Sequence, residues 1–215
     1  AITLGKIGDP FACDVLIEAL GDVDDRVRLV ACEALGRLQT PRGVTPLIKL
    51  LNETIPPELS QKAIIALGEI GDEEATETVI RYLDSNNEIL RENSVVSLGK
   101  IGNQMATEAL IEVINDNNDR VRIQAVISLG QIRNELAIPD LFSRLSDENE
   151  EVRSNAVEAL TGFRDTATEF LVERLMSSSD AVKNCIINIF SGTGDIRTIM
   201  PLVRLLDDCS KELTP

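Results

Sequence analysis

LGEIGDE, residues 67–73, sets two glycines either side of a charged residue and an isoleucine, with an acid following. The segment returns as LGKIGDP from Leu4, LGKIGNQ from Leu98 and LGQIRNE from Leu129. Taken alone, LGKIGD has the look of a phosphate-gripping loop. Such a loop needs Ser or Thr after Gly-Lys, whereas Ile7 and Ile101 stand there, and it needs a strand before it. A nucleotide site is required once, so a segment spelled four times is architecture.

The glycine after the leucine falls at Gly5, Gly36, Gly68, Gly99 and Gly130, and the series continues as Thr161 and Ser191, in steps of 30 to 32 residues. A period of this size calls for a stacked array. Each unit holds two apolar-striped stretches, exemplified by PFACDVLIEAL at 10–20 (helix A) and RVRLVACEALGRL at 26–38 (helix B), joined by an acidic turn. Asp25, Asp119 and Asp180 stand where N-caps are expected. Small residues recur in helix B at Ala31, Ala63, Ser94, Ala125 and Ala156, and again at Ala34, Ala66, Ser97, Ser128 and Ala159, where neighbouring helices must approach. The second glycine, as in Gly8, Gly71 and Gly102, suits a helix stop. The expectation is all-α: an α-solenoid of antiparallel helix pairs, each burying its stripes against the next.

At residues 66–102, ALGEIGDEEATETVIRYLDSNNEILRENSVVSLGKIG resembles the HEAT-repeat class typified by phycobilin-lyase-type units. The likeness extends over nearly the whole chain. It implies a right-handed superhelix with helices B on the concave side, and it points to scaffolds, chromophore lyases and regulatory proteins alike. The expected divisions are a partial helix B at 1–8, repeats at 9–39, 40–71, 72–102, 103–133, 134–164 and 165–194, and a final partial repeat at 195–215. They read as one array cut from a longer protein, its ends covered by further repeats or a partner subunit.

Composition removes several functional classes. Lys and Arg number 21 against 36 Asp and Glu, a formal charge of −15, which repels nucleic acid and anionic lipid. No apolar run approaches the roughly 18 residues of a membrane helix, and a cytoplasmic location is expected. There is no His, and Cys13, Cys32, Cys185 and Cys209 form no paired motif, so no metal site, cofactor or catalytic group is expected. The cysteines read as small buried hydrophobes.

Two columns remain. Arg28, Arg91, Arg122, Arg153 and Lys183 share one register position, and Asp25, Glu88, Asp119, Glu150 and Asp180 stand three residues earlier. Together they resemble the acid and arginine ladder of HEAT proteins, a structural device in which guanidinium forks bridge stacked turns. In the second column, a helical wheel on helix B points Ile65, Val96 and Ile127 nearly opposite the core, with Leu29 and Ile123 on the same face of their own helices. Arg37, Lys62, Glu69 and Lys100 flank this strip. An exposed apolar strip marks a binding surface, so the leading expectation is a noncatalytic scaffold holding an apolar or basic segment of another protein. The alternative is a phycobilin lyase subunit or bilin chaperone, implied by the family resemblance.

Overall fold

The computed structural model describes residues 10–212, with side chains from Ala12 to Asp207. The half-unit expected at 1–8, with Gly5 and Gly8, and the side chain of Cys209 lie outside the described residues. Thirteen α-helices and no strand occur among the described residues. Helices of type A are α1 (Pro10–Ala19), α3 (Val44–Leu51), α5 (Thr76–Ile80), α7 (Gln104–Val113), α9 (Ile138–Ser143), α11 (Asp165–Leu175) and α13 (Ile199–Glu212). Type B helices are α2 (Asp25–Leu38), α4 (Pro57–Ile70), α6 (Glu88–Ile101), α8 (Asp119–Ile132), α10 (Glu150–Phe163) and α12 (Asp180–Thr193). The fold is an all-α solenoid.

The chain forms two compact units, Ala1–Ser128 and Leu129–Pro215. In the first, α2 packs on α4 and α4 on α6, while α1, α3 and α5 lie on the B helices next in the chain. Leu16, Leu35, Leu47, Leu67, Leu98 and Leu110 are fully buried there. In the second, α10 packs on α12, with α9 and α11 against their own B helices. Leu141, Leu160, Leu171 and Ile186 fill that core. Aliphatic burial of this kind contributes about 1.5–3 kcal/mol per side chain before the entropy of ordering is set against it.

Each letter of the repeated segment has a structural role. Leu67 and Leu98 are core residues. The glycine after each lets the next B helix come close: a Cβ on Gly68 would lie 2.6 Å from Ser97 Cα, and one on Gly99 would lie 2.7 Å from Ser128 Cβ. The serine that fills this space is itself bonded, Ser97 Oγ donating to Ile64 O at 2.9 Å and Ser128 Oγ to Val95 O at 3.3 Å. Alanine takes the same place against Gly130, where an added Cβ would meet Ala159 Cβ at 2.7 Å. Gly71 and Gly102 end α4 and α6 with φ of 72° and 69°, a left-handed conformation that suits glycine. The last letter caps the next helical turn: Asp72 accepts from Glu74 N at 3.0 Å and Asn103 from Ala106 N at 2.8 Å. LGKIGN thus ends one helix and begins another.

Two local expectations are corrected. The N-caps are Asp24, Asn87, Asn118 and Asn149, whose carboxyl or amide oxygens accept from Arg26 N, Ile89 N, Arg120 N and Glu151 N at 2.8–3.0 Å. Asp25, Asp119 and Asp180 are instead the first helical residues. A cap must have non-helical backbone so that its side chain can turn back, and an acid one position later acts through the helix dipole. Second, several A helices are not single α-helices. Three-residue 3-10 turns at Pro41–Gly43, Glu73–Ala75, Glu135–Ala137 and Ile196–Thr198 lead into α3, α5, α9 and α13. The side chains of Asp72, Asn134 and Asp195 cap three of these turns by accepting from the N–H of the turn's second residue, and the tighter winding closes the turn within three residues.

Candidate partner-binding face

The four B helices of the first unit carry the expected strip. Leu29 on α2, Ile65 on α4, Val96 on α6 and Ile127 on α8 are half-buried, on helices that the Gly36–Ala66, Gly68–Ser97 and Gly99–Ser128 approaches hold close together. Ile123 departs from the expectation: it is only 8% exposed. Four residues advance a helix by about 400°, so Ile123 lies about 40° round from Ile127 on the side of the buried Val126. On the strip's register position, Glu33 stands in α2, while Glu158 and Asn188 stand in α10 and α12 of the second unit. The apolar character is confined to the first unit.

The rim residues form a set of polar ties. Lys100 Nζ pairs with a Glu69 oxygen, linking α6 to α4. Gln39 Nε2 donates to Glu69 O at 3.0 Å, linking the end of α2 to α4. Arg37 pairs with Glu33 one turn back on α2, and Lys62 is half-buried on α4. Both side chains of the Lys100–Glu69 pair are around 40% exposed, so this tie contributes little stability and its charges stay accessible.

The ladder is built differently from its expected form. Arg28 pairs with Asp25, Arg122 Nη2 with Asp119 at 2.7 Å, and Lys183 with Asp180 at 3.5 Å, each within one helix. The rung between repeats comes from a residue the column did not single out: Arg91 Nε and Nη2 donate to Asp116 Oδ2 and Oδ1 at 2.8 and 3.0 Å. Glu88 joins the same crossing by accepting from Asn118 Nδ2 at 2.6 Å. Three of the arginines also clamp their own turns. Arg91 donates to Ser85 O at 2.8 Å, Arg122 to Asp116 O at 2.8 Å and Arg153 to Asp147 O at 2.7 Å, six residues back in every case. Asp116 and Asp147 brace the turn from the other side, accepting from Asn118 N and Asn149 N at 2.8 and 2.9 Å. Asp22, Ser85, Asp116 and Asp147 share one register position, a signal that the sequence carried. The fork is structural: it fixes the A–B turn and joins it to the next.

Burial pushes the Asp116 carboxyl up, but the Arg91 bond, the Asn118 N–H and the charges of Arg91 and Arg122 together hold it below the usual carboxylate range. The guanidinium and N–H of Arg197 hold the Asp195 carboxyl at about 2. Neither acid is a proton donor near neutral pH. Burial pushes the Cys32 thiol up to about 12, which leaves it inert as a nucleophile. Among the described residues no group of three His, Cys, Asp or Glu side chains could hold a metal ion, and no helix is long and apolar enough to cross a membrane.

Solved structures with this fold include the complex of CpcE and CpcF of phycocyanin lyase from Nostoc sp. PCC7120, 20% identical over 88% of this chain and 79% of that chain, with a TM-score of 0.62. An engineered protein is 21% identical over 84% and 97% of the two chains, TM-score 0.57. A designed armadillo repeat protein in complex with the peptide (KR)4 is 19% identical over 83% and 98%, TM-score 0.57. At these identities the likeness is one of fold. No curated protein sequence matches the chain. The sequence matches HEAT repeats over residues 1–59, 44–130, 83–146, 107–189 and 138–214. The chain belongs to the HEAT-repeat family.

Proposed function

We propose that this protein is a noncatalytic scaffold that holds a peptide or helix of another protein along the B-helix face of its first unit. One observation carries the reading: Ile65, Val96 and Ile127 repeat at one register position on three successive helices and keep part of their apolar surface open. Apolar side chains left at the surface in a regular row supply binding energy to a segment laid across them. Lys62, Lys100 and Glu69 edge the row, and the overall charge of −15 favours a segment that is basic as well as apolar. Support for the type of partner comes from the designed repeat protein of the same fold that holds the peptide (KR)4. The contacts proposed are Leu29, Ile65, Val96 and Ile127, with Ile123 supporting them from below.

A photo-crosslinking residue placed at position 96 tests this reading. The expected product is a covalent adduct to a partner segment rich in apolar and basic residues, absent when the same label sits at Val23, which is fully exposed on the turn before α2. Labelling from Val23 but not from position 96 would move the interaction elsewhere. The bilin reading draws on the fold shared with the CpcE–CpcF complex. A bilin absorbance change on mixing, removed by Val96→Asp, would favour it over the peptide.

A further inference from the structure

On the B helices of the first unit the apolar row is one residue wide. Ile65, Val96 and Ile127 are half-buried, and the same face carries polar groups on either side of them. One turn before the row stand Lys62 on α4, Asn93 on α6 and Gln124 on α8, all half-buried. One turn after it stand the half-buried Glu69 on α4 and the exposed Lys100 on α6. Spacings of three and four residues keep these on one side of each helix. Along α4 and α6 the face therefore reads polar, apolar, polar, and α8 repeats the first two bands.

The band before the row has hydrogen-bonding capacity to spare. Asn93 Nδ2 donates to Ile89 O at 2.6 Å within its own helix, which leaves its Oδ1 to accept. The Gln124 amide has no hydrogen-bond partner among the described residues.

These bands choose between two kinds of segment. An amphipathic helix buries an apolar stripe at least about 100° wide and keeps its main-chain groups bonded to one another. Laid across α4, α6 and α8, it would press apolar side chains onto Lys62, Asn93 and Gln124 and leave their polar groups without partners. An extended chain is narrower, and its N–H and C=O groups need partners along its length. In the polyproline-II form it turns once every three residues and rises about 3.1 Å per residue, so one side returns about every 9 Å. Packed helices are separated by about 8–10 Å, so every third side chain meets the next helix.

We infer that the segment held on this face is extended rather than helical, crossing α4, α6 and α8 with an apolar side chain at every third residue on Ile65, Val96 and Ile127, and with its main-chain groups hydrogen-bonded by Asn93 and Gln124. This mode presupposes the scaffold role proposed above and fixes the form of its partner.

The probe is a fluorescein-labelled, end-capped nonapeptide of three Val-Lys-Thr triplets, basic and rich in β-branched residues that disfavour a helix. Titrated with the 215-residue protein, it is expected to give a saturable rise in anisotropy, lost when Ser replaces its Val residues and lost with Val96→Asp. Asn93→Ala and, separately, Gln124→Ala should weaken binding about fivefold, the worth of one hydrogen bond, and N-methylation of the peptide's main-chain amides should weaken it further. Both amides are half-exposed, so circular dichroism and melting should be retained. A lactam-stapled helical peptide of equal charge with a Leu stripe should not bind. Binding by the stapled helix that Val96→Asp abolishes, with none by the extended probe, overturns the extended mode and leaves the scaffold role standing. Undiminished binding of the extended probe by both amide variants overturns the main-chain contacts. Binding of neither probe also overturns the mode, and the crosslink from position 96 then decides separately whether the face is used.

Discussion

Replacing Gly68 by alanine separates two opposed effects by sign. Alanine is favoured over glycine inside a helix by about 1 kcal/mol, so at an undemanding position the change stabilises. At Gly68 the new Cβ would sit 2.6 Å from Ser97 Cα and 2.5 Å from Ser97 Oγ. Backbone cannot move aside as a flexible side chain can, so α6 must retreat from α4. Overpacking of this kind costs about 1–3 kcal/mol. The retreat also lengthens the 2.9 Å bond from Ser97 Oγ to Ile64 O, worth about 1 kcal/mol. Set against the propensity gain, the net is a destabilisation of about 1–3 kcal/mol. Tyr82 is the single tyrosine in a chain without Trp, and its hydroxyl donates to Leu51 O at 3.1 Å, so tyrosine fluorescence reports the first unit. With a urea slope of about 1–3 kcal/mol/M, the midpoint should fall by roughly 1 M. A midpoint equal to or above that of the parent would refute the close-approach account of the repeated glycine.

Arg122→Ala removes bonds to Asp116 O at 2.8 Å and Asp119 at 2.7 Å from a buried guanidinium, and should destabilise by about 1–3 kcal/mol in the same urea assay; an unchanged midpoint would remove the arginine from the turn's support. For Asp116 the expectation is one of pH. Its folded carboxyl lies below the unfolded value of about 3.9, so its contribution is fully present above that value and lost as pH falls through the folded one. Melting of the parent and of Asp116→Asn should therefore differ at pH 7 and converge below about pH 4, and a difference that persists undiminished at about pH 2 would contradict the charged pair with Arg91.

The solenoid was legible because its period is spelled out in single residues: the buried Leu67 and Leu98, the crossing Gly68 and Gly99, and the stops Gly71 and Gly102 each recur for a physical reason. What lay one step off was direction. The caps fall at Asp24 and Asn118 rather than at Asp25 and Asp119 beside them, because a residue's role depends on whether its own backbone is helical. Asp116 was visible only as a turn acid, since it pairs with Arg91 of the preceding repeat and a wheel drawn on one helix does not show its neighbours. The same limit governed the strip. The wheel placed Ile65, Val96 and Ile127 opposite the core, but the closeness of the B helices, set by Gly68–Ser97 and Gly99–Ser128, decides how far they are covered. The rotation of Ile123 toward Val126 takes it out of reach. The division between Ser128 and Leu129 has no counterpart in composition or spacing.

The proposed function requires the half-buried row on α4, α6 and α8 to hold another protein. It is tested most directly by replacing Val96 and Ile127 together with Asp and measuring, on one sample, circular dichroism melting and affinity for the partner segment recovered by crosslinking at position 96. The expected result is a folded protein whose melting is lowered only slightly and whose binding is lost, because two carboxylates would have to be desolvated in the complex. A folded variant that binds its partner as tightly as the parent would contradict it.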